Sequence, residues 1–177
     1  SIDEIELDTQ EIERLKKVMR GPLERKGGFT PGWVNQVILN TMIPYWVLLL
    51  KSEKRMQTAL ETIQFIRDNL VPKLWARDMH ELRKCHEVKN IILHCEMKLR
   101  ASMMRKESRW THYREDYPLR DDKNWLCWIK IQEIDEEMTL VKKGIEYGIN
   151  PSYAPLVLNQ EVGGTILNLL SEGIEDD

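Results

Sequence analysis

Apolar residues recur at helical spacing through more than half of the chain. A first helix is predicted to begin at Asp8, which has Glu11 three residues later as in a capping box, and to end at Gly21 and Pro22. Its apolar positions are Ile12, Leu15, Val18 and Met19.

Two further helices are predicted between Thr30 and Val71. The second begins at Thr30, an N-cap residue followed by a first-turn proline, and continues toward Leu50. Pro44 is expected to kink it because proline removes a backbone donor. The third begins at Ser52 as N-cap, and its apolar stripe consists of Met56, Ala59, Leu60, Ile63, Ile66 and Leu70.

The fourth predicted helix is the longest. It begins at Asp78 and runs to about Glu107, which corresponds to roughly 45 Å at about 1.5 Å per residue. Its apolar positions repeat near 3.5 residues, the spacing of a packed seam in a helical bundle. They are Leu82, Cys85, Val88, Ile92, Cys95, Leu99 and Met103.

Beyond a charged stretch the pattern changes to alternation, which predicts a short β-hairpin from Trp125 to Lys143. The predicted fold is therefore mainly α, a spectrin-repeat-like bundle of three to four long helices in a single domain, 1–177. It divides into the helical bundle at about 8–107, the charged loop 108–124, the β-hairpin at about 125–143 and an irregular tail 144–177. The tail has one candidate short helix, 165–171.

Composition narrows the range of partners. The chain has 177 residues and a net charge of −3, so no global positive field favours nucleic acid. The longest apolar run, 42–50, is interrupted by Pro44 and is too short to cross a membrane. The three cysteines indicate reduced thiols rather than disulfides, which predicts a cytoplasmic location. No secretory signal is visible in the sequence, so none is expected.

Neither a nucleotide site nor a metal site is predicted in this chain. The glycine pairs Gly27-Gly28 and Gly163-Gly164 do not form a G-x-G-x-x-G motif, so no FAD site is expected. His86 and His94 lie eight residues apart, and no C-x-x-C or H-E-x-x-H spacing accompanies them. Cys85 and Cys95 are expected in the core instead.

The charged stretch between Leu99 and Lys123 is the candidate site. It has seven Lys and Arg residues and five Asp and Glu residues. Mixed charge at this density indicates ion pairs that hold an irregular loop to its neighbours, and a guanidinium suits bidentate pairing with a carboxylate. We therefore predict a structural clamp, meaning a set of ion pairs that fixes the fourth helix against the hairpin.

Two other roles for this loop stay open from the residues alone. His112, with Arg114, Asp116 and Tyr117 nearby in sequence, could form an acid–base set, or the loop could dock onto a partner. The candidate interface and clamp residues are Arg109, Trp110, His112, Arg114, Asp116, Arg120, Asp121, Asp122 and Trp125. We assign no catalytic, cofactor-binding or metal-binding residue.

Six tryptophans stand against two phenylalanines. Trp33 and Trp46 are expected in the core, because both lie on the second predicted helix. Trp110 and Trp128, which flank the charged loop, are expected to be exposed where a partner would cover them.

The same loop resembles a segment near the C-terminus of one flavoprotein family. The positions that match are Arg105, Lys106, Glu107, Ser108, Arg109, His112, Arg114, Asp116, Pro118, Arg120, Asp121, Asp122, Asn124 and Trp125. They resemble the flavoprotein subunits of fumarate reductase, succinate dehydrogenase, aspartate oxidase and adenylylsulfate reductase. Trp110 stands where most relatives of the succinate dehydrogenase type have Gly, which favours an adenylylsulfate reductase-like or divergent branch.

The resemblance implies a C-terminal helical domain, a bundle of long helices followed by a small β element. In the family, FAD binding and hydride transfer belong to upstream domains, so no catalytic residue is carried over to this chain. The implied role is a non-catalytic scaffold and docking surface for the FAD-binding and capping domains. An iron–sulfur subunit is a further implied partner.

A free-standing helical adaptor without a redox role is the alternative. It would use the surface from Arg109 to Trp128 to bind a partner, and its loop residues would be exposed in the isolated domain. The two interpretations therefore differ in the burial that they predict for the charged loop.

Overall fold

The computed structural model describes residues 8–135 and 137–145. Its helices are α1 (Thr9–Glu24), α2 (Pro31–Met42), α3 (Tyr45–Leu48), α4 (Glu53–Phe65), α5 (Met79–Met104) and α6 (Asp122–Trp125). A π-helical turn, Ile66–Leu70, and a 3₁₀ turn, Val71–Lys73, continue α4. The strands are β1 (Leu50–Lys51), β2 (Tyr113–Arg114), β3 (Cys127–Ile134) and β4 (Glu137–Gly144). The predicted mainly α fold with a small hairpin is confirmed.

Three predicted N-caps form as the sequence indicates. Asp8 accepts a hydrogen bond from the Gln10 N–H at 2.9 Å, Thr30 accepts from Trp33 at 3.4 Å, and Asp78 accepts from Glu81 at 2.8 Å. Each side chain satisfies a donor that the first helical turn leaves without a partner.

Two predicted helix ends differ from the structure. Helix α1 passes through Pro22 and ends at Glu24, since a proline in the last turn costs few bonds and the Pro22 carbonyl accepts from Ala76 at 2.9 Å. Helix α2 ends at Met42 instead of continuing with a kink toward Leu50. Pro44 lacks the N–H that would extend α2, and it starts the one-turn helix α3 instead.

The core lies between α2, α4 and α5. Along α5 the predicted apolar seam is confirmed, with Leu82, Cys85, Val88, Ile92 and Leu99 buried and with Cys95 and Met103 packed partly against them. Burying one such aliphatic side chain contributes about 1.5–3 kcal/mol. Cys85, Cys95 and Cys127 are free thiols, and burial raises the pKa of the first two.

The predicted burial of Trp33 and Trp46 is wrong. Their exposed fractions are 51% and 57%. Helix α2 presents Val34, Ile38 and Met42 to the core, and Trp33 lies beside that face, where it stacks on Phe29 at 5.2 Å between ring centroids. In α3, the buried position is Val47, next to Trp46.

Two small sheets complete the described fold. Strands β3 and β4 form the predicted antiparallel hairpin, with Ile134 opposite Glu137. Strands β1 and β2 pair in parallel and join the segment before α4 to the charged loop. No helix within the described residues is long and apolar enough to cross a membrane. The predicted tail helix, 165–171, lies outside the described residues.

Candidate functional site

The charged loop connects the end of α5 to the hairpin, and we call residues 105–125 the ion-pair loop. Two of its charged side chains, Glu107 and Arg114, have 0% exposure. A buried charge is costly unless it is paired and hydrogen-bonded. Each of these residues is the centre of such a cluster.

Glu107 collects four hydrogen bonds. It accepts from Arg105 Nη1 at 2.6 Å, from Arg109 Nε at 2.8 Å and Nη2 at 3.1 Å, and from the Asp121 backbone N–H at 2.8 Å. Burial alone raises the pKa of Glu107, but the hydrogen bonds from Arg109, Asp121 and Arg105 outweigh it and lower that pKa. The carboxylate therefore stays ionised.

The cluster around Glu107 continues from Arg109 to α6. Asp122 accepts from Arg109 Nη2 at 2.5 Å and from Arg120 Nε at 2.8 Å. Burial raises the pKa of Asp122, and these two partners lower it by more. Asp121 caps α6 by accepting from the Asn124 N–H at 3.1 Å. The loop is thus tied to the helix that follows it.

Arg114 is the centre of the second buried cluster. Its guanidinium makes a bidentate pair with Asp116, at 2.8 and 2.6 Å, and donates to Glu53 at 2.7 Å. It also donates to three carbonyls at the end of α5, those of Ser102, Met103 and Arg105. Burial lowers the pKa of Arg114, and its acidic partners raise it above the usual value. One side chain therefore joins the end of α5, the loop and the start of α4.

Asp116 replaces Ser52 as the cap of α4. Ser52 makes no side-chain capping bond, and the Glu53 N–H donates to Asp116 Oδ2 at 2.9 Å. The hydrogen bond from Arg114 lowers the pKa of Asp116 to about 2. The prediction that Ser52 caps this helix is therefore wrong, because a carboxylate distant in sequence takes its place.

His112 lies beside cations rather than beside a carboxylate. Its Nε2 is 3.3 Å from the Arg105 carbonyl oxygen. Burial lowers the pKa of His112 to about 4, and the charges of Lys51, Arg105 and Arg114 act in the same direction. The buried Lys51 donates to the Leu48 and Thr111 carbonyls at 2.8 and 3.3 Å. A neutral imidazole that donates to a carbonyl is a structural contact.

Trp125 is buried between two cations at the start of the hairpin. The Lys142 ammonium lies 3.3 Å from its ring centroid and the Arg105 guanidinium 5.8 Å from it. Arg105 also donates to the carbonyls of Trp125 and Cys127, each at 2.8 Å. These contacts connect the end of α5 to β3.

Trp110 is the candidate residue that the structure does not join to the others. Its exposed fraction is 93%, and Trp128 is also exposed, as predicted for both. Trp110 lies at the tip of a two-residue turn between Arg109 and His112, with φ at 52°.

Several residues of these clusters were not among the candidates from sequence. They are Lys51, Glu53, Arg105, Glu107 and Ser108. The spacing Arg105-x-Glu107-x-Arg109 could have indicated a shared carboxylate, since one Glu between two Arg residues is a short ion-pair motif. Nothing local marks Glu53, because its partner Arg114 is 61 residues away.

The glycine pair within the described residues, Gly27-Gly28, is not arranged as a phosphate-binding loop. A Cβ added to Gly28 would lie 2.2 Å from the Lys73 carbonyl oxygen, and Phe29 N donates to that same oxygen at 3.0 Å. The Gly27-Gly28 pair thus allows close approach of two protein segments instead of surrounding a phosphate. Among residues 8–135 and 137–145, no cluster of three His, Cys, Asp or Glu side chains is placed to hold a metal ion.

Comparison with known proteins matches residues 38–154 to a family described as fumarate reductase flavoprotein C-term. L-aspartate oxidase of Acinetobacter baylyi is 34% identical over 73 residues, which are 41% of this chain and 13% of that protein. A fumarate reductase (CoM/CoB) subunit of Methanothermobacter marburgensis is 26% identical over 115 residues, 62% of this chain and 19% of that protein.

Two solved structures have the same fold. The Mycobacterium smegmatis Sdh1 complex in the apo form aligns with a TM-score of 0.68 and 19% identity, over 93% of this chain and 29% of that one. Quinol fumarate reductase of E. coli aligns with a TM-score of 0.67 and 16% identity, over 80% of this chain and 26% of that one. The chain therefore spans less than a third of each of these four relatives.

Proposed function

Because the chain belongs to the family of fumarate reductase flavoprotein C-terminal domains, we propose that it acts as a non-catalytic scaffold and docking surface for FAD-binding and capping domains. The observation that carries this proposal is the family match over residues 38–154, which includes the ion-pair loop and the hairpin. The chain spans 13% of the L-aspartate oxidase and 29% of the Sdh1 chain, which supports the proposal that flavin binding and the reaction belong to the rest of the flavoprotein.

The burial of the ion-pair loop supports a scaffold over a free-standing adaptor. An adaptor that used the loop as its binding surface would expose the loop charges, whereas Arg114 and Glu107 are fully buried in the isolated chain. Arg114 contacts Glu53 of α4 and the Met103 carbonyl of α5. Arg109, which pairs with Glu107, also pairs with Asp122 of α6. These charges therefore hold the three elements together. We propose that the clamp sets the shape that the flavin-bearing domains contact.

Mixing experiments test the docking role. The chain and the FAD-loaded part of the parent flavoprotein, comprising its flavin-binding and capping domains, are purified separately and combined. We expect an equimolar complex in gel filtration and a higher reductase activity than that of the flavin part alone. A heat-denatured sample of the chain is the control, because it has the same amino-acid composition but lacks the folded docking surface. No complex at the highest soluble concentrations would contradict the proposal.

Three finer assignments belong to the same proposal. The side chain at Trp110 supports an adenylylsulfate reductase-like branch, and the three free thiols support a reducing, cytoplasmic compartment. An iron–sulfur subunit is the proposed electron partner of the assembled protein. Assays of the reassembled flavoprotein with adenylylsulfate and with fumarate decide the branch.

A further inference from the structure

The turn at residues 109–112, which we call the Trp110 turn, holds a large residue in an unfavourable backbone conformation. Arg109 and His112 exchange backbone hydrogen bonds of 2.8 and 2.9 Å, so Trp110 and Thr111 form a two-residue turn. The φ angle of Trp110 is 52°, a region in which a Cβ atom is strained and glycine is favoured. A bulky aromatic residue at such a position is an outlier that requires an explanation.

The fold of the isolated chain does not provide that explanation. The Trp110 side chain is 93% exposed, so its apolar surface is left in water while the backbone strain persists. Leu119, whose carbonyl accepts from the Ser108 N–H at 3.0 Å, is exposed beside the same segment. Backbone strain and an exposed apolar side chain both lower stability, so stability alone does not explain a tryptophan at this position.

The base of the turn is fixed by buried contacts. Arg109 is held by Glu107 and Asp122, and His112 contacts the Arg105 carbonyl. The backbone that carries Trp110 is therefore held in place, and binding would not have to order the segment. Tryptophan presented on a rigid base is typical of the few residues that supply most of an interface's binding energy.

We infer that Trp110 is an anchor residue whose indole inserts into an apolar pocket on the flavin-bearing part of the same flavoprotein. The pocket must offer an aromatic-sized apolar space and one acceptor for the indole N–H, because a buried indole donor needs a partner. This inference rests on the proposed function and names the residue on which docking depends.

The identity of this partner follows from the share of the relatives that the chain spans. In the Acinetobacter and Methanothermobacter proteins, 87% and 81% of the polypeptide lies outside the matched region. Most of the polypeptide that such a domain can contact is therefore the rest of the same flavoprotein, and we assign the pocket to it.

Titration of the chain with the FAD-loaded flavin-binding and capping part tests the inference by calorimetry. Trp110→Gly removes the indole and accepts the positive φ, and Trp110→Phe keeps an aromatic ring. We expect Trp110→Gly to weaken binding by at least about tenfold, as for a truncated hot-spot residue, and Trp110→Phe to weaken it less. Trp33→Ala is the matched control, an exposed tryptophan on α2 outside the ion-pair loop, and it should retain the wild-type affinity.

The melting temperature of Trp110→Gly provides the second measurement. We expect a value equal to or above that of the wild type, because glycine relieves the strain at φ 52°. A clear decrease would mean that the indole supports the isolated fold and would overturn the inference. If Trp110→Gly binds with the wild-type affinity, the inference about Trp110 is also overturned, while the docking role would stand. If the wild-type chain does not bind at all, the proposed function and this inference both fail.

Discussion

At the scale of single residues, Arg114 and Glu107 are the charged positions where we expect a substitution to cost the most stability. Both side chains are fully buried and charged, and each joins elements that are distant in sequence. Removing one partner of a buried pair leaves the other charge without compensation, which costs more than the pair itself contributes. Exposed ion pairs of similar geometry contribute about 0–1 kcal/mol.

Arg114→Ala is expected to destabilise the chain by about 3 kcal/mol or more, because it leaves Asp116 and three α5 carbonyls without their donor. Arg114→Lys should lose less, since an ammonium keeps the charge but cannot reproduce the planar fork. Arg120→Ala is the matched control, since it also pairs with an Asp two residues later but is partly exposed, and it should cost at most about 1 kcal/mol. Chemical denaturation measures the stability of all three variants, and equal losses for the two Ala variants would contradict the clamp hypothesis.

The lowered pKa of His112 predicts that the stability of the chain depends on pH. Its folded-state pKa of about 4 lies below the usual 6.5, so the unfolded chain binds a proton more readily than the folded chain. The stability that neutral His112 contributes is complete above pH 6.5 and is lost as the pH falls toward 4. His112→Gln should flatten the change in denaturation midpoint between pH 7 and pH 5 relative to the wild type. Parallel pH profiles would contradict burial of the imidazole.

Local sequence explains only part of this site. The pairing of Arg114 with Asp116 was predictable because the two lie two residues apart and a guanidinium matches a carboxylate. The contact of Arg114 with Glu53 depends on the parallel pairing of β1 with β2, which no periodicity indicates. The exposure of Trp110 was predicted, but its positive φ was not, because the sign of φ depends on the geometry of the turn.

At the scale of elements, α5 determines the packing of the bundle. Its buried seam was predictable, since a period near 3.5 residues selects one helix face. The end of α2 was not, because Pro44 allows either a kink or a break and neighbouring contacts decide between them. The burial of Trp33 was wrongly predicted because size and helix membership do not fix the rotation of a helix.

Neighbouring residues on α5 provide a test of the seam. Ile92 is 2% exposed and Leu93 is 46% exposed, although both are aliphatic and of equal size. Ile92→Ala should destabilise the chain by about 2–5 kcal/mol through lost burial and a cavity. Leu93→Ala should cost at most about 1 kcal/mol. Urea denaturation midpoints compare them, and similar shifts would show that the wrong face of α5 is assigned to the core.

The start of α4 yields a prediction that separates a local cap from a distant one. Ser52→Ala should change stability by less than about 0.5 kcal/mol, because the Ser52 side chain makes no capping bond. Asp116→Ala should cost about 2 kcal/mol or more, since it removes the cap on Glu53 N and a partner of Arg114. Thermal melts measure both variants. A larger loss for Ser52→Ala would contradict the placement of Asp116.

At the scale of the whole molecule, the exposed aromatic residues are the candidate contact points for the proposed docking role. Single exposed apolar side chains are ordinary on a protein surface. The chain, however, exposes several large aromatics in its described part, namely Trp33, Tyr45, Trp46, Phe65, Trp110 and Trp128. The sequence could predict the family and the fold, because both depend on contacts within the chain. The sequence could not show whether a partner covers any of these aromatics, because such contacts would lie outside the chain.

The purified full chain is expected to bind no FAD. Phosphate-binding loops need backbone N–H groups directed at the ligand at the start of a helix. The Gly27-Gly28 pair does not supply them, because Phe29 N donates to the Lys73 carbonyl and Gly28 is packed against that same carbonyl. Gly163 and Gly164 lie outside the described residues, so the measurement requires the full chain. After incubation with FAD and gel filtration, the flavin absorbance should stay in the small-molecule fraction, whereas a mixture with the flavin-bearing part should carry it in the protein peak. An equimolar flavin band on the chain alone would place a cofactor site in this domain and overturn its assignment as a scaffold.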